Sequence, residues 1–350
     1  MWMKTGFRLL IVCLGVMFCQ VGCQKQEIVE AEVREIPLEW PIEKGREKEL
    51  EISGLAWYRD FLILLPQYPA DFGDRIFYLP KAEILASLKQ AEPLRPRAIE
   101  LQAAGLAEKI KTFRDLYLKF EGFEAIVFRD RQAFLTVEAS GPGKKKMLGF
   151  LIAGTIREDL SCLVLDPEHL TEIKPQSSIK NAAEETLLLR EDQLITLYEG
   201  NGKNVNSAPR AHVFDLELRL IRQIPLSSLE YRLTDATAPD ARQRFWCINY
   251  FYPGEREEYR PAADEMAAAY GRGPSHRVAA DGRVERLVEF EYNGSEIRLV
   301  RRPPIPLKLQ LDEPPRNWEG IVRLEGRGFL LVTDEHPRTI LGFVEYRNND

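Results

Sequence analysis

Ser53-Gly-Leu-Ala-Trp57, followed after a charged turn by Phe61-Leu-Ile-Leu-Leu-Pro-Gln67, states a phrase that the chain repeats. The further copies open at Glu124-Ala-Ile-Val-Phe128, Glu185-Thr-Leu-Leu-Leu189, Asp235-Ala-Thr-Ala-Pro239 and Glu319-Gly-Ile-Val-Arg323. A polar or acidic residue leads each short strand. A second strand then starts apolar and mostly finishes polar: Phe61 to Gln67, Phe134 to Glu138, Leu194 to Glu199, Phe245 to Tyr250 and Phe329 to Glu335. Repetition on this scale marks stacked or radial repeat architectures. The leaders lie 71, 61, 50 and 84 residues apart, so loop insertions of different length are expected between common units.

Counting strands outward gives four in each of the first four repeats and three in the last. The alternating stretch 32–40 supplies a strand before the first repeat. Pairing it with the C-terminal strands would close a ring and remove exposed sheet edges. The reading is therefore an all-β, five-bladed β-propeller closed by an N-terminal strand, with short helical insertions. A β-sandwich or β-solenoid is the alternative, the latter demanding shorter and more regular turns. Helical spacing appears over 81–90, at Ile84, Leu85 and Leu88. Leu101 to Phe120, with Leu106, Ile110, Phe113, Leu116 and Leu118, suits a helix lying on the body. The long insertion from Pro253 to His276 carries an Ala-rich helical run, and Gly141-Pro-Gly-Lys-Lys-Lys146 reads as a hairpin tip.

Residues 1–22 read as a lipoprotein signal peptide, 23–31 as a lipidated tether and 32–350 as a single domain. Lys4 and Arg8 precede an apolar stretch from Leu9 to Phe18 that is too short to span a bilayer as a helix. Val21-Gly22-Cys23 follows and resembles a lipobox, although Gln20 stands where Leu is usual. The resemblance implies a diacylglycerol thioether at Cys23, cleavage after Gly22 and an N-terminal acyl chain such as palmitate. Gln24 in place of Asp resembles outer-membrane sorting, facing the periplasm or the cell surface.

The chain has 48 Lys and Arg, two of them in that segment (Lys4 and Arg8), so the remainder carries 46 against 54 acids, a net charge of −8. Such a surface argues against nucleic acid as a partner. Cys162 and Cys247 fall in different repeats and are not expected to pair.

In a propeller the first strand of each blade lines the channel. Ser53, Glu124, Glu185, Asp235 and Glu319 would then face one axis. Either backbone N–H groups satisfy them and they lock the ring, or a cation such as calcium, or another ligand, compensates their repulsion. The polar ends of the second strands, among them Glu138, Glu199, Asp334 and Glu335, are placed near the end of the first strand. With Tyr68, Tyr252 and His336 they would rim a mouth able to hold a small polar ligand. No Gly-x-Ser-x-Gly, His-Glu-x-x-His or Walker motif occurs. Of His169, His212, His276 and His336, only His336 sits on a repeated motif, as a candidate acid or base.

The phrases Glu51-Ile-Ser-Gly-Leu-Ala-Trp57, Trp318-Glu-Gly-Ile-Val322 and Leu330-Leu-Val-Thr-Asp-Glu335 resemble the phytase-like group of exported bacterial propellers and the neighbouring SdiA-regulated-type lipoproteins. The resemblance runs over most of residues 45–346 through these phrases. It implies acids around a propeller axis and phosphate- or carboxyl-ester hydrolysis. Phosphate recognition leans on clustered cations, and this sequence sets no dense Lys and Arg group beside its acids. A binding or scaffolding lipoprotein is thus the leading expectation, with an ester hydrolase, calcium-dependent or not, as the rival.

Overall fold

The computed structural model describes residues 28–141, 147–180, 182–334 and 336–347. The signal segment, Cys23, the Lys144–Lys146 tip and Glu335 lie outside the described residues.

A short strand, β1 (Val33–Ile36), precedes the repeats. The first meander is β2 (Ile52–Tyr58), β3 (Phe61–Pro66), β4 (Arg75–Pro80) and β5 (Arg97–Gln102), with helix α1 (Lys81–Gln90) between the last two. Helix α2 (Leu106–Lys111) leads to the second, β6 (Lys119–Arg129), β7 (Gln132–Ser140), β8 (Met147–Ile156) and β9 (Cys162–Ile173). The third is β10 (Thr186–Arg190), β11 (Gln193–Leu197), β12 (Arg210–Asp215) and β13 (Leu220–Pro225). The fourth runs β14 (Arg232–Ala236), β15 (Arg244–Phe251), β16 (Val284–Tyr292), β17 (Ile297–Leu299), with β18 (Ile305–Pro306) also on β16. Its insertion holds helices α3 (Arg256–Tyr259), α4 (Glu265–Tyr270) and α5 (Pro274–Val278). The last comprises β19 (Trp318–Leu324), β20 (Gly328–Thr333) and β21 (Leu341–Glu345), completed by β1 antiparallel to β21, with Val33 opposite Val344 and Ile36 opposite Leu341.

The inner strands neighbour one another in a circuit, β2 to β6 to β10 to β14 to β19 and back to β2. The chain is a β-propeller. One departure from independent blades occurs at the rim. There β5 and β9 pair in parallel, Glu100 opposite Cys162, and fuse the first two meanders into one eight-stranded sheet.

Side-chain alternation explains the arrangement. In β3, Ile63 and Leu65 pack towards the second meander, while Leu62 and Leu64 pack towards the last. Equivalent apolar clusters fill the remaining junctions: Phe134 with Leu187, Leu188 with Phe245, and Trp246 with Phe329. Both faces of a sheet are covered, so the strand reads as an unbroken apolar run.

Two expected elements are shorter than their patterns suggested. The helix expected over 101–120 is confined to α2 and a 3-10 turn at Phe113–Asp115. Positive φ values at Arg114, Asp115 and Tyr117 end it, and Leu116 and Leu118 serve a loop. The strand expected over 32–40 narrows to β1 with flanking bridges at Ala31 and Leu38, because Pro37 has no N–H for the ladder. Cys162 and Cys247 are free, buried thiols. Among the described residues no helix is long and apolar enough to cross a membrane.

Ring closure through β1 makes a testable demand. Ile36 is buried between the last meander and the first. Ile36→Ala is expected to lower unfolding free energy by about 2–4 kcal/mol, read from urea denaturation.

Candidate functional site: an arginine among carboxylates

Register first determines where the polar residues meet. Glu138 stands opposite Gly122 and Leu197 opposite Thr186. The ends of the second strands therefore lie beside the starts of the first ones, not near their ends as the sequence suggested. Leaders and trailing acids form one cluster at one end of the channel.

The leaders are not all in phase. Ser53 Oγ donates to the Phe123 carbonyl at 2.6 Å, just ahead of Glu124. Thr234 Oγ1 donates to the Trp318 carbonyl at 2.6 Å, just ahead of Glu319. Thr234, not Asp235, is thus the counterpart of Ser53. Asp235 comes one residue later, at an irregularity in the β14–β15 ladder between Leu233 and Ala236. There its Oδ2 accepts from the Ile321 N–H at 2.8 Å. Burial pushes its carboxyl well above the usual aspartate range in spite of that bond. It lines the other end of the channel, a cavity of about 160 Å³ walled by Leu55, Ile126, Leu187 and Val322.

The cluster's cation, Arg232, was missed. It opens β14, is buried, and reaches from the fourth meander to the third and the last. Nε donates to Glu199 Oε1, and Nη2 to Glu185 Oε1 at 3.2 Å and Glu319 Oε1 at 3.4 Å. Nη1 lies 3.8 Å from Glu255 Oε1, and the guanidinium sits 5.8 Å from the Tyr250 ring centre. Burial alone would lower its pKa, but Glu199, Glu185 and Glu319 outweigh that and raise it well above the arginine norm. A lone Arg beginning an inner strand, in Tyr231-Arg232-Leu233, was the available signal.

One cation cannot neutralise this many acids. Glu124 accepts from Gln67 Nε2 at 3.0 Å, but burial and the nearby Glu138 hold its pKa well above the usual value. Burial likewise raises Glu185 and Glu319, against the pull of Arg232. Asp334 accepts from Asn317 Nδ2 at 2.6 Å and from the His336 N–H at 2.7 Å, and burial still raises it. Glu185, Glu199 and Glu255 each keep one oxygen, Oε2, without a protein partner.

Above Arg232 opens a cleft of about 410 Å³ lined by Tyr250, Tyr252, Glu255, Pro314, Pro315, Asn317 and His336. His336 is exposed at its wall, and Tyr252 is 47% exposed. Tyr68, the remaining rim candidate, feels Glu124 and Glu138, and burial raises its pKa. Ser53, Glu124, Glu138, Glu185, Glu199, Glu319 and Asp334 thus belong to the polar end and Asp235 does not. Arg232 supplies positive charge within the cluster, and among the described residues no group of three or more His, Cys, Asp or Glu has metal-holding geometry.

No known family profile matches the sequence, and no curated protein does. Solved structures do. A GH43 endo-arabinanase from Bacillus licheniformis is 9% identical over 89% of this chain and 98% of its own, with a TM-score of 0.45. A GH43_1 enzyme from Xanthomonas citri is 8% identical over 90% and 91%, also at 0.45. A Bombyx mori GH32 β-fructofuranosidase is 10% identical over 89% of this chain and 61% of its own, at 0.44. Likeness at this level concerns fold and not activity.

The raised carboxyls give stability a direction in pH. A glutamate whose folded pKa exceeds its unfolded value of 4.5 binds more protons when folded, so its contribution is complete below that value and lost as pH rises. Unfolding temperature is expected to fall as pH rises above the ordinary glutamate value of 4.5. Glu124→Gln, which keeps an acceptor for Gln67, should flatten that decline in calorimetry.

Proposed function

We propose that this protein is an exported lipoprotein, acylated at Cys23 and held at a bacterial outer membrane, whose propeller binds a small, neutral, hydroxyl-rich ligand in the cleft above Arg232. The observation that carries the ligand assignment is the arginine claimed by Glu199, Glu185 and Glu319 at the base of that cleft. Its guanidinium is already committed, and an incoming phosphate would meet surrounding carboxylates, so the site disfavours phosphate esters and with them the phytase-like reading. Hydroxyl groups can donate to Glu255 and accept from Asn317. Tyr252, Pro314 and Pro315 offer flat apolar surface to a ring.

A panel of neutral mono- and disaccharides, phosphate monoesters and polyamines, titrated by calorimetry, separates the options. Saturable binding of a neutral saccharide, weakened about tenfold by Tyr252→Ala or Glu255→Ala, supports the reading. Binding only of phosphate esters or polyamines, or of nothing, overturns it.

A hydrolase is the second reading, favoured by carboxyls that burial raises above their ordinary values, the direction a general acid requires. It predicts turnover of an ester or glycosidic substrate that Glu319→Gln abolishes. Absence of turnover, or turnover indifferent to that change, removes it. Membrane attachment is tested by radiolabelled palmitate, which should enter the wild type and not Cys23→Ala.

A further inference from the structure

We propose that the lipid tether leaves the body through a fixed latch, and that the surface around the latch, bearing Val29, Val278 and Leu311, rests against the bilayer. This rests on acylation at Cys23. The latch is Glu30, whose Oε1 accepts from Ser275 N at 2.9 Å, Ser275 Oγ at 2.7 Å and His276 N at 3.3 Å, and lies 3.0 Å from His276 Nδ1. His276 Nε2 is bonded in turn to the backbone of Glu285 in β16. Ala31 N donates to the Pro306 carbonyl and Lys308 N to the Ala31 carbonyl, both near 2.9 Å. These bonds fix the chain at Glu30 and Ala31 to α5, to β18 and to the segment after it.

Reach then decides orientation. Six residues lie between Cys23 and Glu30, and the seven fully extended steps span at most about 25 Å. A body of this length is roughly 50 Å across. A chain pinned at Glu30 cannot pass round to the opposite side, so the latch side must face the membrane. The residues beside the latch include three exposed apolar side chains: Val29 at 84%, Val278 at 67% and Leu311 at 47%. Each lies close in sequence to the latch, beside Glu30, three residues after Ser275, and two after Leu309, whose N–H donates to Ser275 Oγ. Arg272 and Arg277 are exposed on the same insertion and suit anionic lipid, while Asp312 and Glu313 oppose them. The apolar trio and the tether length carry the assignment.

The test uses the full acylated protein in phosphatidylethanolamine–phosphatidylglycerol vesicles with brominated acyl chains. A fluorophore is placed at Val278→Cys or Leu311→Cys, and for comparison at Leu220→Cys or Tyr117→Cys, exposed on other blades. Cys162 and Cys247 are buried and do not compete. Labels at 278 and 311 should lose about half their emission, as for groups seated in the headgroup boundary, and those at 220 and 117 should not. Glu30→Ala, which leaves the Ala31 backbone bonds in place, should narrow the difference without abolishing it while palmitate is still incorporated. Acylated protein quenched equally at all four positions, or more at 220 or 117, overturns the orientation. Failure of palmitate incorporation overturns the underlying lipoprotein reading instead.

Discussion

Each sheet in this chain has two apolar faces, and that constraint organises everything else. A sheet with one wet face needs a single partner; a sheet apolar on both sides needs two. Linear stacking leaves an uncovered face at either end, whereas a closed ring leaves none. The alternation in Leu62-Ile-Leu-Leu65, sending neighbours to opposite junctions, is the local expression of that rule. Closure must also be held. The antiparallel pairing of β1 with β21 ties the two ends of the chain together. The parallel contact of β5 with β9 covers two rim edges that would otherwise invite pairing with another molecule.

Closing the ring creates an electrostatic problem at its centre. Polar residues at the start of every inner strand converge, and burial removes the water that would screen them. Three means of relief occur together. Ser53 and Thr234 place hydroxyls where acids could have stood and bond to the next blade's backbone. Arg232 contributes one positive charge, shared among three acids from the two neighbouring blades. The remaining excess is met by protonation, because burial and mutual repulsion lift Glu124, Glu185 and Glu319.

Much of this was legible in the sequence. Fold and closure followed from the repeated apolar runs, since two-sided burial writes itself into every strand. The acids at the polar end were found because acidic residues are rare inside a body. Asp235 was misplaced because letters were aligned by charge. The pattern of apolar residue, leader, then neighbour, as in Ile52-Ser53-Gly54, Trp318-Glu319-Gly320 and Leu233-Thr234-Asp235, would have selected Thr234. Arg232 escaped because attention to acids alone leaves their compensation out. Its partners come from strands between 33 and 87 residues away, and only the ring brings them together. The length of the helix after β5 was beyond reach, since positive φ at non-glycine residues carries no strong local signature.

The channel's two ends differ for the same reason that its strands read as they do. A leader followed by apolar residues, repeated on every inner strand, gives a polar opening at the starts and an apolar narrowing further on. Asp235 marks the border: one residue past the polar phase, it is bonded to the Ile321 backbone and surrounded by Leu55, Ile126 and Leu187. An anionic ligand entering at the leader end would have to draw Arg232 from its carboxylates or add to their repulsion, and both cost more inside a body than in water. A neutral ligand does neither. The arrangement that lets the ring tolerate its buried acids therefore also restricts what the cleft above them can accept.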